Sequence, residues 1–114
     1  MAHKGVIRMS SPTFALLNKL TAKPGRRDEV VAILLESGRL FEKNEACQLY
    51  LVTVANDDPD AIWVVDLWST REEHAEALKD PALRPYVEQA MQALEGRPEQ
   101  IEVDPRGFVG TFAS

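Results

Sequence analysis

Four side chains in this 114-residue sequence have the chemistry to act on a small molecule: His74, Trp68, Tyr86 and Asn18. An imidazole titrates near neutrality, so His74 is a candidate base for an acidic hydroxyl. The Trp68 indole N–H and the Asn18 carboxamide can donate to a ligand oxygen, and Tyr86 can donate or stack. Each also has a plainer reading. Trp68 fits a large core residue whose N–H meets backbone, and Tyr86 fits the apolar stripe of a helix. Asn18 fits an amide bonded within its strand, and His74 fits the rim of a first helical turn.

The stretch that must position them is 62–80, IWVVDLWSTREEHAEALKD, where an apolar run turns within two residues into a helical pattern. Residues 62–68 are rich in β-branched and aromatic side chains with Asp66 as their one charge, which predicts a strand covered on both faces. Trp63 then packs in an interface or a barrel interior. Ser69 and Thr70 each stand three residues before a glutamate, Glu72 and Glu73, so two overlapping capping boxes announce the helix. The junction places Trp68 at the strand end and His74 on the first turns.

Upstream, residues 14–21 alternate as a strand, with Phe14, Leu16, Asn18 and Leu20 on one face and Ala15, Leu17, Lys19 and Thr21 on the other. Lys23-Pro24-Gly25 breaks it. From 26 to 43 the positions Val30, Ile33, Leu34, Ser37, Leu40 and Phe41 recur at helical spacing, and Gly38 weakens that helix by roughly 1 kcal/mol. Residues 46–54 read as a second strand with Tyr50, Val52 and Val54 opposite Cys47, Leu49, Leu51 and Thr53. The cluster Asn56-Asp57-Asp58-Pro59-Asp60 turns that strand into the next as a hairpin.

Downstream, Asp80-Pro81 restarts a helix whose stripe is Leu83, Tyr86, Val87, Ala90, Met91 and Leu94. Residues 100–103 and 108–112 are short strand-like pieces around the turn at 104–107. Residues 1–12 read as a flexible N-terminal arm and 13–114 as one domain. The order is that of a ferredoxin-like βαββαβ unit, an α+β fold with one antiparallel sheet. Helices on one side leave the other sheet face apolar and bare, which predicts a homodimer.

Composition narrows the partners. Acids outnumber bases 18 to 13 for a net charge of −5, which disfavours nucleic acid and anionic membrane surfaces. A lone Cys47 forms no intrachain disulfide, and no apolar run approaches a membrane span, so a cytoplasmic location is expected. The acids at 57–60 lack EF-hand spacing. No nucleophile triad, phosphate-cradling glycine loop or metal-ligand cluster is visible, which removes hydrolase and kinase readings.

Over most of 14–103 the sequence resembles the antibiotic biosynthesis monooxygenase domains of the dimeric α+β barrel superfamily. The likeness rests on Lys23-Pro24-Gly25, on Asp66-Leu67-Trp68-Ser69 followed by Glu72, and on Leu78-Lys79-Asp80-Pro81 leading to Tyr86. It implies a small homodimer. Among the family's activities are oxidation of phenols or quinols by O2 without metal or flavin, haem degradation, and isomerisation of a phosphorylated signal.

Many members carry a histidine nine residues after the tryptophan, where this chain has Ala77; His74 lies three residues earlier. The haem-degrading branch pairs an asparagine like Asn18 with a tryptophan and a helical histidine. The two helical positions here are Ala77 and Val87, so no haem and no other cofactor is expected. The polyketide-oxidising branch has an asparagine four residues before its tryptophan, where this chain has Val64.

The resemblance thus implies an oxygenase of phenolic or quinonoid substrates using O2, for which His74 is this chain's own candidate base. A non-catalytic binding or structural dimer and an isomerase stay open beside it. A catalyst requires a cavity with convergent polar groups beneath the helices; a structural protein would fill that space with Met91, Leu94 and their neighbours.

Overall fold

A computed structural model describes residues 2–4, 12–107, 109 and 111–113 of the chain. The strands are β1 (Ala2–Lys4), β2 (Phe14–Thr21), β3 (Cys47–Val54), β4 (Ala61–Trp68), β5 (Glu99–Val103) and β6 (Thr111–Ala113); the helices are α1 (Arg27–Gly38), α2 (Arg71–Ala77) and α3 (Arg84–Ala93). The main sheet has the order β3-β4-β2-β5 with every pair antiparallel, which is the ferredoxin-like arrangement. β1 and β6 pair separately as a two-stranded ribbon. Most of the arm expected at 1–12, and Phe108 of the last strand-like piece, lie outside the described residues.

The period-2 pattern decides which face of the sheet meets the helices. On β2, Phe14, Leu16, Asn18 and Leu20 are buried beneath the helices, as the alternation predicts. On β4 the same face carries Ile62, Val64, Asp66 and Trp68. Among the described residues the opposite face is left open: Trp63 is 36% exposed, with Lys19 Nζ 5.7 Å above its ring, and Leu51 and Ile101 are exposed on the same face.

On β3 the register shifts between Cys47 and Leu49, so that Cys47 pairs with Trp68 and Tyr50 with Asp66. This bulge corrects the strict alternation expected for 46–54. One extra residue reverses the parity, and Cys47 packs on the helix-side core with Phe14 and Trp68 instead of lying opposite Tyr50.

The helix expected over 26–43 ends sooner, at Gly38, and tightens into a 3₁₀ turn at Arg39–Phe41 that swings Phe41 inward. Gly38 has a packing reason. A Cβ there would stand 2.7 Å from Tyr50 Cε2, so the helix needs a residue without a side chain to lie against that ring. Gly25, at φ +79°, makes the turn after β2 in a conformation that other residues rarely adopt.

Thr70, not Ser69, caps α2: its Oγ1 accepts from the Glu73 N–H at 3.1 Å. Asp80 likewise accepts from Ala82 N, with Pro81 in the first position of the turn that leads to α3. The α3 stripe is only partly covered. Leu83 and Leu94 are buried, whereas Val87 and Met91 are 55% and 48% exposed, because α3 packs along one edge against α1.

Two apolar clusters form the core. Leu20, Val30, Ile62, Val64 and Leu94 fill one end, and Phe14, Leu16, Phe41, Trp68 and Leu83 fill the other. Asn18 and Asp66 lie where the clusters part, on neighbouring strands.

Candidate functional site

A cavity of about 270 Å³ opens between sheet and helices at that division. β2 gives it Asn18 and Leu20, β3 gives Tyr50, and β4 gives Val64, Asp66 and Trp68. From the helical side come Leu34 and Ser37 of α1, Phe41, His74 of α2, Leu78, Leu83 and Val87 of α3, while Pro98 and Gln100 close the β5 edge. The wall is apolar with a few convergent polar groups, the usual make-up of a small-molecule site.

Asn18 organises the polar groups. Its Nδ2 donates to the Val64 carbonyl and to Asp66 Oδ2, each at 3.2 Å, and its Oδ1 accepts from Gln100 Nε2 at 2.9 Å. Register explains the set, because Gln100, Asn18 and Val64 are directly paired across β5, β2 and β4 and Asp66 is one diagonal step away. Asp66 Oδ1 and Trp68 Nε1 are buried with no hydrogen-bond partner among the described residues. Such orphaned groups are uncommon in folded proteins and mark a place where a ligand or ordered water completes the bonding.

Burial without a countercharge pushes the Asp66 carboxyl up to about 6, with the Asn18 hydrogen bond opposing the rise. The Tyr50 hydroxyl is pushed up to about 12 by burial, then by the Asp66 charge, with Ser37 as a hydrogen-bonding neighbour that opposes the shift. Cys47 rises to about 11 for the same first two reasons, which makes it an inert thiol.

His74 is half-buried, and its ring centroid lies 5.1 Å from Phe14 and 5.2 Å, edge-on, from Trp68. Burial lowers its pKa, which favours the neutral imidazole. The first turn of α2 is clamped above it: the Arg71 guanidinium grips both Glu102 carboxylate oxygens on β5 and lies 5.0 Å over the Phe14 ring.

Of the four residues singled out in the sequence, the structure brings Asn18, Trp68 and His74 to one cavity. Tyr86 stands elsewhere, its hydroxyl directed to Glu36 Oε1 at 3.4 Å between α3 and α1. Asp66 and Gln100 were not singled out. The signal for Asp66 was present as a lone acid sharing strand parity with Ile62, Val64 and Trp68. Among the described residues no group of three or more His, Cys, Asp or Glu is placed to hold a metal ion. No helix among them is long and apolar enough to cross a membrane.

The sequence profile of the antibiotic biosynthesis monooxygenase family matches residues 13–89. The chain belongs to that family. A candidate antibiotic biosynthesis monooxygenase from Chloroflexus aurantiacus is 32% identical, with a TM-score of 0.73 over 86% of this chain and 97% of its own. SnoaB, a cofactor-independent oxygenase from Streptomyces nogalater, shares the monooxygenase-family fold at 13% identity. Its TM-score is 0.74, over 85% of this chain and 96% of SnoaB. A Caulobacter crescentus candidate is likewise 13% identical, with a TM-score of 0.77 over 85% and 92% of the two chains. Curated proteins give no significant match.

Proposed function

We propose that this antibiotic biosynthesis monooxygenase family member is a cofactor-independent oxygenase that oxidises phenolic or quinol-type aromatics with O2. The observation that carries this reading is the cavity beneath the helices: it is walled by apolar and aromatic side chains and holds two buried polar atoms without partners. A purely structural domain would fill that space with Met91, Leu94 and their neighbours, yet Met91 is 48% exposed and Leu94, buried in the core at one end, does not line the cavity. SnoaB, with the same fold, is a cofactor-independent oxygenase, which supports the same chemistry here.

Such a reaction asks three things of the protein: to bind a flat aromatic, to remove its hydroxyl proton so that the electron-rich anion can reduce O2, and to keep water out. Phe41, Tyr50 and Leu83 supply flat and apolar walls, and the Trp68 N–H supplies a donor to a substrate oxygen. His74, in the same wall and favoured as neutral imidazole, is the acceptor proposed from sequence.

The working form is a homodimer. The open sheet face, with Trp63, Leu51 and Ile101 exposed, is too apolar for water, and covering it buries on the order of 1,000 Å² or more.

Oxygen consumption tests the function directly. A panel of phenols and hydroquinones in chelator-treated, flavin-free buffer should include at least one giving saturable uptake, one O2 per quinone formed. Uptake no faster than uncatalysed autoxidation across the panel would sink the oxygenase reading.

A further inference from the structure

Within the oxygenase reading, we infer that Asp66 is the catalytic group that takes the substrate's hydroxyl proton, with Asn18 and Gln100 as its positioning residues and His74 as an aromatic wall. Asp66 lines the cavity, is 8% exposed, and is bound through one oxygen only: Oδ2 accepts from Asn18 while Oδ1 has no partner. A buried carboxylate oxygen that lacks a donor, on a residue that lines a cavity, is a receptor for one O–H. The other oxygen is held by an amide that is itself fixed at both ends, by the Val64 carbonyl and by Gln100.

Two residues along the same strand face, Trp68 offers a buried, unpartnered N–H. The pair is complementary to an aromatic that carries a hydroxyl for Asp66 and an acceptor oxygen for Trp68. The same pair disfavours carboxylated or phosphorylated ligands, whose charge would face Asp66.

The other titratable groups at the site do not compete for the proton in the same way. Tyr50 on β3 is pushed up to about 12 and Cys47 beside it to about 11, both raised by the Asp66 charge after burial. His74 on α2 is neutral and so able to accept a proton, but its ring is packed edge-on against Trp68 and tilted on Phe14, whereas Asp66 carries the buried oxygen without a partner. α1 presents Ser37 and Leu34, α3 presents Val87, and β5 presents Gln100, none of them ionisable.

The step balances with O2 as the oxidant. The phenol gives its proton to the Asp66 carboxylate, and the phenolate transfers one electron to O2. Superoxide and the aryloxyl radical then join at a ring carbon that bears hydrogen. Asp66 returns the proton to the resulting peroxide, the O–O bond breaks with loss of that carbon's hydrogen, and water leaves. Phenol and O2 become quinone and water.

The test is calorimetric titration with 2-naphthol, a neutral phenol, between pH 4.5 and 8. Affinity in the wild-type protein should rise about tenfold or more through pH about 6 as the accepting carboxylate forms. Asp66→Asn should abolish this acid limb, His74→Gln should retain it, and Asn18→Ala should move it to higher pH. In a variant series with turnover, Asp66→Asn should lose about 10²–10⁴-fold in kcat. No binding to the wild type, an acid limb kept in Asp66→Asn or lost in His74→Gln, or a limb unmoved in Asn18→Ala, overturns the assignment. Because binding is read without O2 chemistry, the acid limb can appear in a protein that consumes no oxygen, and the two readings fail separately.

Discussion

Asn18 Nδ2 lies 3.2 Å from Asp66 Oδ2, and this single bond is what the carboxylate has in place of a countercharge. Burial holds Asp66 well above the ordinary aspartate range, at about 6, and the Asn18 bond only partly opposes the rise. The folded protein therefore binds the proton more tightly than the unfolded chain, and stability falls as pH rises from about 4 to about 6. Above that window the ionised group costs about 2–3 kcal/mol. Asp66→Asn should therefore be more stable than wild type at pH 8, with the gap closing below pH 4. Urea unfolding at both pH values checks it; a variant less stable at pH 8 than at pH 4, relative to wild type, contradicts the argument.

Trp68→Phe removes the buried orphan N–H while keeping an aromatic ring on the core. Loss of ring area and removal of an unsatisfied donor act in opposite directions, so stability should change by no more than about 1 kcal/mol. Affinity for a ligand with an acceptor oxygen should fall about tenfold. Equal affinity in the two proteins would mean that no ligand oxygen reaches the indole.

Gly38→Ala should destabilise despite alanine's higher helix propensity, because its Cβ would meet the Tyr50 ring at 2.7 Å. Overpacking of this kind costs about 1–3 kcal/mol, more than the roughly 1 kcal/mol that alanine gains in a helix interior. Pairing it with Tyr50→Val should recover part of the loss. A double variant that shows simple additivity would separate the two sites energetically.

Replacing apolar residues on the bare sheet face should break the homodimer proposed above. Trp63→Lys with Leu51→Glu puts charges where the second sheet is expected, and light scattering at micromolar concentration should then give the monomer mass. A wild-type protein that is already monomeric there would remove the basis for the dimer.

Much of the fold can be read from residue order alone. The alternation on β2, the Lys23-Pro24-Gly25 break, and an apolar run entering a doubly signposted helix start each follow from local geometry, and the sheet order follows from the sequence of elements. The β3 bulge does not, because no residue type at Cys47 or Leu49 marks it; it is imposed by pairing with β4.

The site was half legible. Asn18 stands out as a polar residue on an apolar strand face. Asp66 is harder to see, because 62–68 reads as one apolar run and the side that meets the helices is set by pairing with β2. Tyr86 sits at ideal stripe spacing, yet α1 covers only one edge of α3, and helical periodicity alone cannot say which neighbour a stripe will meet.

The cavity draws its wall from β2, β3, β4, β5 and all three α-helices. No fragment of the chain holds the pocket alone, so an occupant binds only the fully folded protein and is lost completely on unfolding. Its binding energy then adds to global stability by mass action: a compound present at 100 times its Kd contributes about 2.7 kcal/mol. For a domain of this size that raises the melting midpoint by roughly 10 °C. Heating the protein with mixtures of hydroxylated aromatics therefore turns the fold itself into the detector for its own substrate.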